Sequence, residues 1–220
     1  VGRGISADVQ RMCGVGYCPT SNAIMLPWRL PDGRLANIKY RKTYGKAFWY
    51  ERNAWPIREL VYGMDIILAR KIKRAVIVEA EIDAQSFWTA GVPAIAVGGA
   101  SFNAYKRDVI LRSPIEELTI ATDADKPGER LRSEIERELK GKVALSHARF
   151  NGMKDANDVL VTNFISHYVQ INLTPTKIAV IPIPNFISHY VQINRSVNQR
   201  QAFYVYYLYI PLRSNKPVHH

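Results

Sequence analysis

Apolar and polar positions change their period near residue 75. In the first part of the chain, residues 5–17 read as a short helix, with Ser6 as N-cap and Gly14 or Gly16 as the stop. Residues 23–50 read as a β-meander. Ala23–Trp28 is apolar, Pro31–Arg34 (PDGR) is a turn, and Leu35–Arg41 alternates as a strand. Tyr44-Gly45-Lys46 turns the chain again into Ala47–Tyr50. Residues 57–71 read as a helix with Leu60, Ile67 and Leu68 on its apolar side.

Beyond residue 75, short apolar runs alternate with helical periods. Ala75–Val78 suits a buried parallel strand, Ile82–Ala90 a helix, Ala94–Val97 a second strand and Ala104–Leu111 a weaker helix. Leu118–Thr122 is a third strand, and Val143–Ala148 a fourth. Between them lies Pro127–Lys140, a helix with Pro127 in its first turn and Leu131, Ile135 and Leu139 along one face. Strands alternating with helices imply a parallel α/β sheet.

The tail departs from both patterns. Residues 163–172 read NFISHYVQIN, and residues 185–194 repeat those ten letters without change. Structural repeats normally drift in sequence, so the identical copies suggest a recent duplication, an expression scar or a changed reading frame. The functional alternative is a basic arm in which Tyr204, Tyr206, Tyr207 and Tyr209 stack on bases.

Charge sharpens this picture. Over 220 residues, 30 Lys+Arg face 19 Asp+Glu, a net charge of +11. All the acids lie in residues 1–162, where the net charge is +6, and the last 58 residues carry five Lys+Arg and no acid. So basic a chain is suited to a polyanion, nucleic acid above all. A hydrophobic fraction of 47% excludes global disorder. Two cysteines, Cys13 and Cys18, exclude a four-thiolate zinc ribbon and a disulfide scaffold, and read as buried or free thiols. No apolar run reaches the roughly 18 residues of a membrane span, and no signal peptide opens the chain, so a reduced cytoplasmic protein is expected. The first residue, Val1, reads as the start of a fragment or a processed chain.

The candidate chemistry sits at strand ends, where parallel sheets bind ligands. Glu79 ends the first parallel strand, and Asp123 and Asp125 follow the third. An Asp-x-Asp pair just past a buried strand supplies two hard oxygen ligands, which suit Mg²⁺ or Mn²⁺. The following DKPG turn, Asp125 to Gly128, opens a helix whose first N–H groups favour phosphate. Metal and phosphate together fit two-metal phosphoryl or nucleotidyl transfer. The plainer alternative for Asp-x-Asp is a helix cap.

These residues resemble a known family. VEAEID at 78–83 and TDADKPG at 122–128 resemble the two signatures of the toprim domain, and KDANDVL at 154–160 resembles the segment closing that region in phage-type and bacterial primases. Upstream, RGISADVQRMCGVGY, AIMLPWRLPDGRLANIKYR, GKAFWYE and ELVYGMD resemble successive stretches of the primase RNA-polymerase domain. The resemblance covers about residues 2–162. It implies an α/β toprim fold, a Rossmann-like four-stranded parallel sheet with flanking helices, at 74–162. A small basic α+β subdomain precedes it at 1–73, and the tail at 163–220 lies outside it.

The implied activity is DNA-templated synthesis of RNA primers from ribonucleoside triphosphates on single-stranded DNA, with Mg²⁺ or Mn²⁺ and a replicative helicase as possible partner. Glu79, Asp123 and Asp125 match the metal-binding acids of the family. In some toprim enzymes the Glu instead moves a proton. Asp83, Asp155 and Asp158 match supporting acids. Lys39, Arg41, Lys154, Asn103 and Gly128 are candidates for nucleotide or template contact, with solvated charges or a plain tight turn as the alternatives. Two departures stand out: Ala80 occupies a position that is usually Gly, and neither a zinc module nor a Walker P-loop is found in the sequence. The reading is therefore a polymerase core, poorly active alone. The alternatives are a toprim nuclease and an inactive nucleic-acid-binding replication module.

Overall fold

The computed structural model describes residues 3–149 and the backbone of residues 170–172. Its first half is an antiparallel meander of β1 (Gly16–Cys18), β2 (Ala23–Arg29), β3 (Leu35–Lys42) and β4 (Phe48–Tyr50), hydrogen-bonded in chain order. The Pro31–Arg34 turn joins β2 to β3, with Gly33 at φ +88° in the left-handed region. One face of the meander turns inward at Leu26, Trp28, Asn37 and Lys39, all buried.

Helix α1 (Ala7–Met12) starts where expected. Ser6 accepts a hydrogen bond from the Val9 amide at 3.3 Å. It ends earlier than the sequence suggests. Gly14 sits at φ +67°, and residues 16–18 leave the helix to pair with β2, Gly16 opposite Met25.

The helix expected over 57–71 is also broken. A 3-10 turn at Ile57–Glu59 and helix α2 (Met64–Ala69) flank an extended Tyr62. The Tyr62 backbone exchanges hydrogen bonds of 2.9 and 3.1 Å with Ala96 at the sheet edge. Gly63, at φ +80°, then turns the chain into α2. Tertiary pairing overrides helical propensity here.

The second half is α/β. Strands β5 (Arg74–Val78), β6 (Ala94–Ala96), β7 (Glu117–Ile120) and β8 (Ala144–Arg149) form a parallel sheet in the order β6-β5-β7-β8, and β9 (Gln170–Asn172) adds an antiparallel edge to β8. Helices α3 (Glu81–Thr89), α4 (Ala104–Leu111) and α5 (Lys126–Leu139) flank it. All four parallel strands and three helices match the sequence reading to within two residues at each end. The core runs without a break from Trp28 through Ile77, Ile95 and Ile120 to Leu131 and Ile135. Each such fully buried side chain stabilises the fold by about 1.5–3 kcal/mol. No helix among the described residues is long and apolar enough to cross a membrane. Cys13 and Cys18 are free thiols, and burial pushes the Cys13 thiol up to about 11.

One buried charge braces the loop after β6. The Lys106 ammonium donates to the carbonyls of Val97 at 2.6 Å and Ser101 at 3.2 Å, under residues 98–101. Burial pulls its pKa down to about 8, against the opposing pull of Glu134. Between about pH 8 and the ordinary lysine value the unfolded chain binds the extra proton. The native state therefore gains stability as pH rises through that window. The stability of the native chain relative to Lys106→Met is expected to increase from pH 7.5 to pH 10, measured by urea denaturation. A pH-independent difference would contradict this.

Candidate active site

Strand β5 delivers Glu79 to the carboxyl end of the parallel sheet. The Glu79 carbonyl accepts hydrogen bonds from the amides of Gly98 at 2.8 Å and Gly99 at 3.3 Å, so the loop after the neighbouring strand β6 fixes its backbone. Gly98 is constrained twice. It sits at φ +76°, and a Cβ there would lie 2.5 Å from Cη2 of Trp28. Ala80 adopts φ −116°, a value open to any residue. The methyl group that departs from the toprim pattern therefore brings no backbone strain.

Strand β7, the other neighbour of β5, delivers the second acidic element. Asp123 is half-buried in the loop after it, and Asp125 is the N-cap of α5, its Oδ1 accepting from the Gly128 amide at 2.9 Å. The capping role weighed for Asp-x-Asp is thus realised at Asp125, and it leaves the second carboxylate oxygen as a donor atom. Gly128 is the closest joint of the site. A Cβ there would lie 2.1 Å from the Asp123 carbonyl oxygen and 2.9 Å from Oε1 of Glu79. Only the bare backbone of the first turn of α5 fits between the two acidic loops.

Sequence reasoning missed the most deeply placed acid. Glu81, two residues beyond Glu79, is 1% exposed. Its Oε1 accepts from the Trp28 indole N–H at 2.9 Å, and its Oε2 pairs with the Lys39 ammonium at 2.8 Å. The signal available was the alternation of acids in Glu79-x-Glu81-x-Asp83. Nothing local in the sequence says that the middle one turns toward the meander. Asp83 lies on the first turn of α3 and is buried.

The basic candidates differ in placement. Lys39 is 8% exposed, locked between Glu81 and the rings of Phe48 and Tyr50, with its Nζ 4.7 and 5.7 Å from their centroids. Arg41, two residues along the same face of β3, is half-buried. Asn103 caps α4, accepting from the Lys106 amide at 3.1 Å and donating to the Arg58 carbonyl at 2.9 Å. Lys154, Asp155 and Asp158 lie outside the described residues, as do the repeats apart from the backbone of 170–172.

The donors Glu79, Asp123 and Asp125 are hard oxygens, the type that Mg²⁺ and Mn²⁺ take. Among the described residues no three acidic, His or Cys side chains converge into a ready-made metal cage.

Two substitutions test this architecture. Removing one partner of the buried pair, as in Lys39→Met or Glu81→Leu, should cost about 3–5 kcal/mol, whereas the double change should cost less than either single one. Denaturant titration of the three variants checks the order. Gly128→Ala should lower Tm and displace the Asp123 loop, because a methyl group cannot stand 2.1 Å from a backbone carbonyl oxygen and the loop must shift to admit it. An unchanged melting curve would contradict that contact.

Comparisons with known proteins bear on the fold that carries these residues. A family model described as Toprim-like matches residues 76–160. No curated protein matches the chain in sequence. Among solved structures, the primase fragment of the bacteriophage T7 primase-helicase protein superposes with a TM-score of 0.59 at 21% identity, over 73% of this chain and 66% of that one. The E. coli primase catalytic core gives 0.62 at 15% identity, again over 73% and 66%. A DnaG primase catalytic domain bound to single-stranded DNA gives 0.61 at 15% identity, over 73% and 67%. This chain thus spans about two thirds of the length of each, and identities this low establish a shared fold. Residues 76–160 thus match a toprim-like family model, and the described α/β sheet and antiparallel meander share the fold of bacterial and phage primase catalytic cores.

Proposed function

We propose that the chain is the RNA-polymerase core of a DNA primase, joining ribonucleotides into short primers on a single-stranded DNA template. The observation that carries this reading is the meeting of Glu79 and the Asp123 loop across Gly128, beside a basic meander tied to the same strand end by Glu81. Divalent Mg²⁺ or Mn²⁺ would be held by Glu79, Asp123 and Asp125. When bound, such ions supply acidification of the primer 3′-hydroxyl and neutralise the triphosphate. In the first turn of α5, Pro127 has no N–H and the Gly128 and Glu129 amides already donate to Asp125, so phosphate would be met there by the positive end of the helix dipole and the Lys126 amide. Arg41 on the meander would contact template or nucleotide phosphate, as would Lys154 and Lys39. Lys39 would have to leave Glu81 or reach substrate from within that pair.

Asp83, Asp155 and Asp158 would support the acidic centre. In this reading residues 1–73 form the basic companion of a toprim unit at 74–162, and the segment from 163, whose residues 170–172 add an edge strand to that unit's sheet, supplies no catalytic residue. A polymerase of this kind works in the cytoplasm, and a replicative helicase is its natural partner. The meander favours a polymerase over a toprim nuclease, because the solved structures that share the fold of this chain are primase catalytic cores.

The test is a gel assay with single-stranded DNA, labelled ribonucleotides and Mg²⁺ or Mn²⁺, run beside Asp123→Ala/Asp125→Ala and Asp125→Asn. Short templated RNA from the native chain is expected, reduced at least about 10²-fold in the double variant. Asp125→Asn keeps a cap while losing the charge, so its loss of product separates ligation from helix stability. DNA shortening would move the reading to a nuclease. Neither product, with no binding of Mn²⁺ by calorimetry, would leave a binding module.

A further inference from the structure

Exposed aromatic side chains concentrate on the meander, and their pairing places two of them in one line. Tyr17 lies opposite Ile24, Ile24 opposite Arg41, and Arg41 opposite Phe48. Directly opposed residues share a face of the sheet, so the four form a single cross-strand row, roughly 14 Å from β1 to β4 at ordinary strand spacing. The row belongs to the inward face at its open end. Tyr17 is 53% exposed and Phe48 56%, while Ile24 and Arg41 are half-buried between them. The next row inward on the same face holds Lys39 and Tyr50, and beyond it Trp28 meets Glu81 beside Glu79.

Phe48 is held in place although it is open to solvent. The Lys39 ammonium lies 4.7 Å from its ring centroid, and Tyr50 meets it edge-on at 6.0 Å. Neither row contains a carboxylate, and the chain as a whole carries a charge of +11. Flat rings at both ends and a guanidinium between them are what unstacked bases on a phosphate strand require. A duplex, with its bases already stacked, offers the rings nothing.

We infer that the Tyr17–Ile24–Arg41–Phe48 row is a stacking platform for single-stranded nucleic acid, on which Tyr17 and Phe48 each take a base and Arg41 takes a phosphate between them, the strand crossing the meander from β1 to β4. The inference rests on the template-using reading above and adds to it the residues that grip the bases.

The experiment is fluorescence anisotropy on the full chain with two probes, an oligo-dT and an abasic strand of equal length. The native chain should bind oligo-dT at least about tenfold more tightly than the abasic strand. Phe48→Ala and Tyr17→Ala should each weaken oligo-dT binding about tenfold and leave abasic binding unchanged. Phe48→Trp should retain affinity, and Phe48→Leu, which keeps apolar area without a π-face, should lose it. Arg41→Ala should weaken both probes alike and lower the salt slope by about one. Equal native affinity for the two probes would overturn the platform, as would full affinity in Phe48→Leu. Because binding is read without catalysis, the two readings fail separately. Base-dependent binding with no RNA synthesis would sink only the primase reading. RNA synthesis with equal binding of both probes would sink only the platform.

Discussion

The carboxylate of Glu81 is the contact on which the placement of everything else depends. It is almost wholly removed from water, and it joins the indole of Trp28 on β2 and the ammonium of Lys39 on β3 to the first turn of α3. Taking two charges out of water costs several kcal/mol each. Here the cost is offset by a 2.8 Å ion pair, a second hydrogen bond from the indole and two aromatic rings around the ammonium. Three apolar side chains of equal volume would hold the two halves together as firmly. What they would lack is direction. An apolar contact tolerates sliding, whereas a carboxylate with both oxygens engaged fixes the meander against the parallel sheet in one register.

That register matters because Glu79 lies two residues from Glu81. The same turn of chain sends one carboxylate back into the meander and presents the other at the sheet end. Glycines then close the remaining distance. Gly98 lets the loop after β6 bond the Glu79 carbonyl while lying against Trp28, and Gly128 lets α5 approach both Asp123 and Glu79. The acidic loops, the helix N-terminus and the meander are therefore four surfaces drawn to one point by contacts that tolerate almost no added volume.

Much of this was legible in the sequence, for physical reasons. The parallel strands are short, apolar and bounded, and α5 carries a clean 3.6-residue stripe, so both follow from local pattern. The placing of Glu79, Asp123 and Asp125 at strand ends follows from the same pattern, because topology alone decides where parallel strands finish. The failures share a different cause. The helix expected over 57–71 is interrupted because the Tyr62 backbone is claimed by Ala96, 34 residues away in the chain. Strand β1 was hidden in a helical reading because its partner, β2, lies beyond a turn. Glu81 is separated by 53 residues from Trp28 and by 42 from Lys39, and no local period carries that information. Lys106 looks in sequence like a surface lysine of a weak helix, yet it is buried against two loop carbonyls.

The charges of the molecule consequently divide by depth. Lys39, Glu81 and Lys106 are buried and spend their hydrogen bonds on alignment, each bracing an element that meets the acidic loops. Asp123 is half-buried and Asp125 exposed, at the solvent rim of the sheet end. Under the polymerase reading proposed above, the carboxylates open to solvent are the ones that would exchange ligands, and the buried charges hold the frame. The basic meander serves both ends of that division, with its inner rows fixed to α3 and its outer row left open toward solvent.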